Sequence, residues 1–131
     1  MKFNKLTPNL VVRDVAGSME FYRSVLGFQA AITVPEQPPY VFGSVTCGGV
    51  EIFFNDQKAV AEDYPPLGAR PAGGAMTLFI EVEGIEDILA AVQKSKAKVV
   101  MPLKTQFYGM REFAFEDPEG WIVTIAERVP Q

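Results

Sequence analysis

Hydrophobic and polar residues follow two different periods along this chain, and the periods alternate in the same order twice. Between residues 15 and 26, apolar side chains recur at helical spacing. Asp14 can cap the start of this helix and Gly27 can end it. A second stripe predicts a helix over residues 84–94, with Ile85, Ile88, Leu89 and Val92 on one face.

Short runs of β-branched and apolar residues predict strands around each helix. In the first half these runs cover residues 6–12, 28–34, 40–47 and 50–54, and in the second half 75–83, 99–103, 110–116 and 121–126. Each half therefore reads β-α-β-β-β, an internal repeat. Residues 55–74 lose periodicity and collect Pro, Gly and charge, which is typical of a connector. The pattern predicts an α+β fold in one domain, residues 1–131, with modules at 1–54 and 75–127.

The charge balance, the lengths of the apolar runs and the cysteine count limit the kinds of partner and compartment that fit this chain. Twelve basic and sixteen acidic residues give a net charge of −4, which argues against nucleic acid, because phosphate binding depends on clustered Lys and Arg. No apolar run is long enough to span a membrane, and no signal peptide is evident behind Met1. A single cysteine excludes an internal disulfide and fits a reducing, cytoplasmic compartment. We expect Cys47 to be a small, half-buried hydrophobe.

The chain contains no histidine. It therefore has no Ser-His or Cys-His nucleophile pair and no histidine general base. It also lacks the commonest side-chain ligand for zinc, iron and nickel.

Two segments carry a family resemblance. LVVRDVAGSMEFYRSVLGF at residues 10–28 and FAFEDPEGWIVTIAE at residues 113–127 resemble the vicinal oxygen chelate superfamily. That superfamily includes glyoxalase I, extradiol dioxygenases, fosfomycin resistance enzymes and bleomycin resistance proteins. The resemblance implies two βαβββ modules that form an open, curled mixed sheet around a cleft, usually in a homodimer.

The resemblance also implies where a divalent metal would bind. Carried over one position at a time, the ligand positions fall on Thr7, Thr77 and Thr124, and less securely on Glu51 or Phe53. A threonine hydroxyl is a poor ligand for these metals, so we expect neither a metal nor another cofactor. Thr124 either presents a donor and an acceptor to a ligand or fills space with its hydroxyl bonded to backbone or water.

An apolar cleft with a few placed polar groups is typical of a small-molecule site. Trp121 and the adjacent Phe107 and Tyr108 are placed to stack on a planar ligand. Arg111 is either a substrate contact or a surface ion pair with Glu112, and Glu51 is a weak candidate for a lone general base. The candidate ligand-binding residues are Thr7, Asn9, Glu51, Phe53, Thr77, Phe107, Tyr108, Arg111, Trp121 and Thr124.

These features favour a metal-free protein that sequesters a small molecule, as bleomycin resistance proteins do, over an enzyme. The expected ligand, an antibiotic for example, is neutral or cationic and aromatic. Three alternatives stay open: a divalent-metal-dependent lyase, isomerase or dioxygenase; a metal-independent enzyme that uses Glu51, Tyr108 or Arg111; and a metabolite-binding module with no role in resistance.

Overall fold

A computed structural model describes residues 1–130 of the chain. The fold is α+β, as predicted, and contains two four-stranded mixed sheets. The chain divides into two compact units, Met1–Ala72 and Gly73–Gln131. No helix within residues 1–130 is long and apolar enough to cross a membrane.

The first unit has the predicted β-α-β-β-β order. Its elements are β1 (Asn9–Val12), α1 (Val15–Leu26), β2 (Gln29–Val34), β3 (Phe42–Cys47) and β4 (Val50–Asp56). The strand order in the sheet is β1-β4-β3-β2, with β1 parallel to β4 and the other neighbours antiparallel. The parallel pair needs a crossover, and α1 begins that crossover on one face of the sheet.

The first helix forms where its capping residues predict it. The Asp14 side chain accepts a hydrogen bond from the Gly17 backbone N–H at 3.0 Å, and Gly27 ends the helix with a left-handed φ of 77°. Tyr22 is fully buried, and its ring contacts Phe28 and Phe54 at centroid distances of 5.9 and 5.2 Å. These contacts fix α1 against the sheet.

The connector contains a helix that periodicity did not predict, α2 (Gln57–Asp63), followed by a 3₁₀ helix (Pro65–Ala69). The Asp56 side chain caps α2 by accepting hydrogen bonds from the Lys58 and Ala59 backbone N–H groups. Val60 is the one buried residue of this seven-residue helix. One core contact is too few to produce an apolar stripe in the sequence.

The second unit repeats the plan of the first. Its elements are β5 (Thr77–Glu81), α3 (Ile85–Lys94), β6 (Val99–Thr105), β7 (Met110–Glu116) and β8 (Ile122–Arg128). The strand order is β5-β8-β7-β6, and β5 is parallel to β8. The core includes Ile85 and Val92 of α3 and the sheet residues Leu78, Phe113, Phe115, Val123 and Ile125.

Several predictions at strand ends are wrong: β3 begins at Phe42 rather than at residue 40, and β5 spans Thr77–Glu81 rather than residues 75–83. Residues 6–8 precede β1, which begins at Asn9, and Leu6 is 87% exposed. The apolar character of Leu6 extended the predicted strand, but the residue makes no core contact. Cys47 is exposed rather than half-buried. It ends β3 beside the Gly48-Gly49 hairpin, where the sheet stops.

Candidate functional site

Each sheet has one face covered by its helix, and we call the opposite face the helix-free face. In the first unit, Tyr22 of α1 contacts Phe54, and Met19 lies against Gly43. Side chains alternate along a strand, so the residues one position away, Glu51, Phe53 and Asn55, lie on the helix-free face. In the second unit the same alternation places Thr77, Phe79, Glu112, Ala114 and Thr124 on the helix-free face.

Thr77 and Thr124, two of the predicted ligand-binding residues, meet on the second helix-free face. The register of β5 and β8 pairs Phe79 with Thr124 and Thr77 with Ile122. The Oγ1 atoms of Thr77 and Thr124 are 2.6 Å apart and share a hydrogen bond. Thr124 is buried, Thr77 is exposed, and the Thr77 hydroxyl also approaches the Leu78 carbonyl at 3.4 Å. The buried Thr124 hydroxyl is therefore bonded to a side chain.

Glu112 is a buried charge on the same face. It is 4% exposed, and its Oε2 accepts a hydrogen bond from the Tyr108 hydroxyl at 2.5 Å. Gln106 Nε2 donates to Oε1 at 3.5 Å. Both donors are neutral, and no ion pair within residues 1–130 involves Glu112. Within the described part of the chain, the carboxylate therefore has hydrogen-bond partners but no counter-ion.

The hydrogen bond to Glu112, with smaller contributions from burial and from the negative charge of Glu112, raises the pKa of the Tyr108 phenol above its ordinary value. We expect Tyr108 to ionise at a higher pH than an unperturbed tyrosine, whose pKa is about 10. Because the folded-state pKa is raised, this bond stabilises the fold fully below about pH 10, and that contribution is lost as the pH rises through the folded-state pKa.

Alkaline titration of tyrosinate absorbance checks this expectation. The difference between the wild-type and Tyr108→Phe curves gives the ionisation of Tyr108 alone. Glu112→Gln removes the negative acceptor and is expected to lower this pKa. A Tyr108 titration that does not move in Glu112→Gln would contradict the hydrogen bond.

The helix-free face of the first unit combines polar and aromatic side chains. Lys5 Nζ donates a hydrogen bond to Glu51 Oε1 at 2.6 Å and forms an ion pair with it. Asn55 donates its side-chain amide to Asn9, and the Phe53 ring contacts Phe42 at 5.2 Å in an edge-to-face arrangement. Glu51 points away from α1 and is already paired with an ammonium group, so use of its carboxylate as a base requires that pair to break.

The other predicted residues lie elsewhere. Thr7 is half-buried and precedes β1. Arg111 forms an ion pair with Glu86 of α3, which places Arg111 on the helix-covered face. The surface ion pair is therefore observed, with Glu86 rather than Glu112 as its partner. Trp121 is half-buried beside Gly74. Phe107 is 99% exposed at the β6–β7 turn, with its ring against Tyr108.

The residues at the implied metal positions do not fit a divalent metal. Thr7, Thr77 and Thr124 supply neutral hydroxyls, and the Thr77 and Thr124 hydroxyls are bonded to each other. The implied position that holds a carboxylate, Glu51, is bound by Lys5. Within residues 1–130 there is no cluster of three or more His, Cys, Asp or Glu side chains that could hold a metal ion.

Comparison with protein families decides what the repeated modules are. A family model described as the Glyoxalase/Bleomycin resistance protein/Dioxygenase superfamily matches residues 2–125. The chain belongs to this superfamily. The resemblance seen in the sequence is thus confirmed. A comparison with curated proteins gives no match.

Solved structures share the superfamily fold at low sequence identity. An enzyme of the glyoxalase/bleomycin resistance protein/dioxygenase family from Burkholderia phytofirmans PsJN is 21% identical, with a TM-score of 0.78 over 94% of this chain and 97% of that one. A superfamily member from Sphaerobacter thermophilus DSM 20745 is 18% identical, with a TM-score of 0.78 and 97% and 98% coverage. TioX from Micromonospora sp. ML1 is 16% identical, with a TM-score of 0.76 and 97% and 100% coverage. At these low identities, the TM-scores show a shared fold.

Sequence reasoning did not select Glu112 or Gln106 for the site. Glu112 was considered as a partner of its neighbour Arg111, whereas adjacent strand residues point to opposite faces. The signal was nevertheless present. In residues 110–116, Glu112 directly precedes the apolar run of residues 113–115, and it alternates with Phe113 and Phe115 toward the opposite face of the strand. A charge inside a core strand is uncommon enough to mark a candidate site.

Proposed function

We propose that this superfamily member binds a small molecule without a metal ion and sequesters it without converting it. The hydroxyl pair of Thr77 and Thr124 carries the proposal. It occupies two positions at which the resemblance implies metal ligands, and it offers hydrogen bonds in place of coordination bonds.

Aromatic side chains on the helix-free faces support the binding role. Phe79 is 53% exposed beside Thr124, and Tyr108 is 49% exposed. In the first unit, Phe53 is half-buried against Phe42. Apolar rings with a few fixed polar groups are the usual lining of a small-molecule site. The proposed ligand is therefore aromatic, and either neutral or cationic.

Thermal-shift measurement with a panel of aromatic and cationic antibiotics tests the proposal. A ligand that binds only the folded protein stabilises it by about 2.7 kcal/mol at a hundred times its Kd. For a domain of this size, that raises the Tm by about 5–10 °C. The matched pair Phe79→Ala and Tyr64→Ala removes similarly exposed aromatics, 53% and 52% exposed, and we expect only Phe79→Ala to reduce the shift.

Two further measurements separate sequestration from catalysis. Mass spectrometry of the ligand released from the complex should give the unchanged mass of that ligand. The same complex should contain one ligand molecule for each binding site. Elemental analysis of protein purified without a metal column should show no stoichiometric Ni, Zn, Fe or Mn. Melting curves unchanged across the whole panel, or a stoichiometric transition metal, would contradict the proposal.

The cleft that the resemblance implies, the homodimer and the cytoplasmic location belong to the same proposal. They come from the family resemblance and from the composition of the chain. Catalysis by Glu51 is the less favoured function, because Lys5 holds its carboxylate.

A further inference from the structure

Glu112 is a buried carboxylate with no ion-pair partner among residues 1–130. It is 4% exposed, and its acceptor atoms are bonded to the neutral side chains of Tyr108 and Gln106. Burial of an ionised carboxylate is costly unless a counter-charge or strong hydrogen bonds compensate it. Lys104 is its register partner across β6 and β7, yet the lysine ammonium is not in ion-pair contact with it.

Tyr108 connects this buried charge to the surface. Its side chain is 49% exposed, while its hydroxyl proton points to Glu112 Oε2 at 2.5 Å. A phenol has one proton to donate. The Tyr108 oxygen therefore presents only lone pairs to a guest, and its hydrogen bond to a carboxylate increases the negative charge on those lone pairs.

We propose that Tyr108 and Glu112 form a subsite for a cationic group that carries N–H donors, such as a primary ammonium or an amidinium. The cation donates to the Tyr108 oxygen and supplies the counter-charge that Glu112 lacks. The Glu112 carboxylate repels an anionic ligand. A ligand that can only accept hydrogen bonds gains none from Tyr108, because the Tyr108 proton is already donated to Glu112. The inference rests on the proposed function and specifies the charge of its ligand.

The surroundings of the subsite suit an aryl cation. Glu112 pairs with Ala126 and Thr124 pairs with Ala114, so Glu112 and Thr124 are diagonal neighbours on one face, about 7–8 Å apart. Phe79 lies one strand beyond Thr124, so its backbone is about 12 Å from that of Glu112, two strands across and two residues along. A ring placed near Phe79, with a spacer of one or two carbons, brings an amine to Tyr108.

Four matched probes test the charge and the donor separately: 2-phenylethylamine, phenethyltrimethylammonium, 2-phenylethanol and phenylacetate. Backbone amide chemical shifts in ¹⁵N-labelled protein report both the affinity and the place of binding. We expect 2-phenylethylamine to shift the amides of residues 106–112 and 124. It should bind about tenfold more tightly than the alcohol and the quaternary ammonium, and phenylacetate should bind most weakly.

Glu112→Gln keeps the size and the acceptor oxygen of the side chain but removes its charge. We expect it to weaken amine binding about tenfold and to leave alcohol binding unchanged. Glu116→Gln is the control, because it makes the same charge change on the same strand, and it should leave both affinities unchanged. If Glu112→Gln does not fold, Tyr108→Phe, which removes the hydroxyl oxygen, should weaken amine binding to a similar extent.

The outcomes separate this inference from the proposed function. Equal affinities for the amine and the alcohol would overturn the cationic subsite and leave small-molecule binding in place. Amine binding that is unchanged in Glu112→Gln and Tyr108→Phe, or that shifts amides outside residues 106–112 and 124, would also overturn it. Absence of any shift with the four probes would overturn the subsite, whereas the antibiotic panel decides the wider function independently.

Discussion

Phe113→Ala is expected to lower the free energy of unfolding by about 3–5 kcal/mol. Phe113 is completely buried on the helix-covered face of the second sheet, in register with Ile125. Its ring stacks with Phe115 at a centroid distance of 6.1 Å. Alanine removes this packing and leaves a cavity that neighbouring strands can close only in part.

Urea unfolding followed by circular dichroism measures the loss. Phe107→Ala is the matched control, because it is the same substitution at a side chain that is 99% exposed in the turn before β7. We expect that control to change the free energy of unfolding by no more than about 0.5 kcal/mol. Equal effects of the two substitutions would contradict the placement of Phe113 in the core.

Asp117→Ala is expected to cost about 2–4 kcal/mol, because it leaves two backbone donors without their acceptor. Asp117 is 5% exposed in the β7–β8 hairpin. Its Oδ1 accepts hydrogen bonds from the backbone N–H groups of Glu119 and Trp121, each at 2.9 Å. Gly73 packs against this turn, where an added Cβ would lie 3.0 Å from the carbonyl oxygens of Glu119 and Gly120. The turn is therefore held from both sides.

Asp117→Asn tests whether the acceptor oxygen accounts for the loss. The amide keeps an oxygen at the Oδ1 position, so we expect it to retain more than half of the stability lost in the alanine variant. Asp87→Ala, at an exposed carboxylate in the first turn of α3, controls for the change of charge. A loss in Asp117→Ala no larger than in Asp87→Ala would contradict the hydrogen-bonded turn.

Much of the fold was predictable because its signals are local and occur twice. Asp14 and Gly27 cap α1 as predicted, and strand β7 has the predicted bounds at Met110 and Glu116. Elements with little burial escaped prediction. Helix α2 buries Val60 alone, so the hydrophobic pattern did not predict it. Leu6 is apolar yet exposed, so the same pattern predicted a strand residue where there is none.

The site was predictable where strand register decides it and unpredictable where helix packing decides it. Thr77 and Thr124 occupy positions set by the repeat and by alternation, and they do meet. Arg111 pairs instead with Glu86, which lies 25 residues away on α3. That contact depends on the rotation of the helix over the sheet, and short-range sequence pattern does not encode this rotation. Glu112 was missed for a different reason: its neighbour Arg111 was assumed to be its partner, although adjacent residues of a strand point to opposite faces.

The bond between Thr77 and Thr124 has no fixed direction, because either oxygen can be the donor. When Thr124 donates, the Thr77 hydroxyl is free to give its own proton to the Leu78 carbonyl at 3.4 Å or to a guest, and when Thr77 donates to Thr124, it has only lone pairs to offer. Reversal moves hydrogens only, so we expect the threonine pair to accommodate either a donor or an acceptor group of the proposed ligand. The Tyr108 phenol, whose proton is committed to Glu112, cannot reverse at neutral pH. For the proposed ligand, we therefore expect Tyr108 to determine selectivity and the two threonines to accept a range of polar groups.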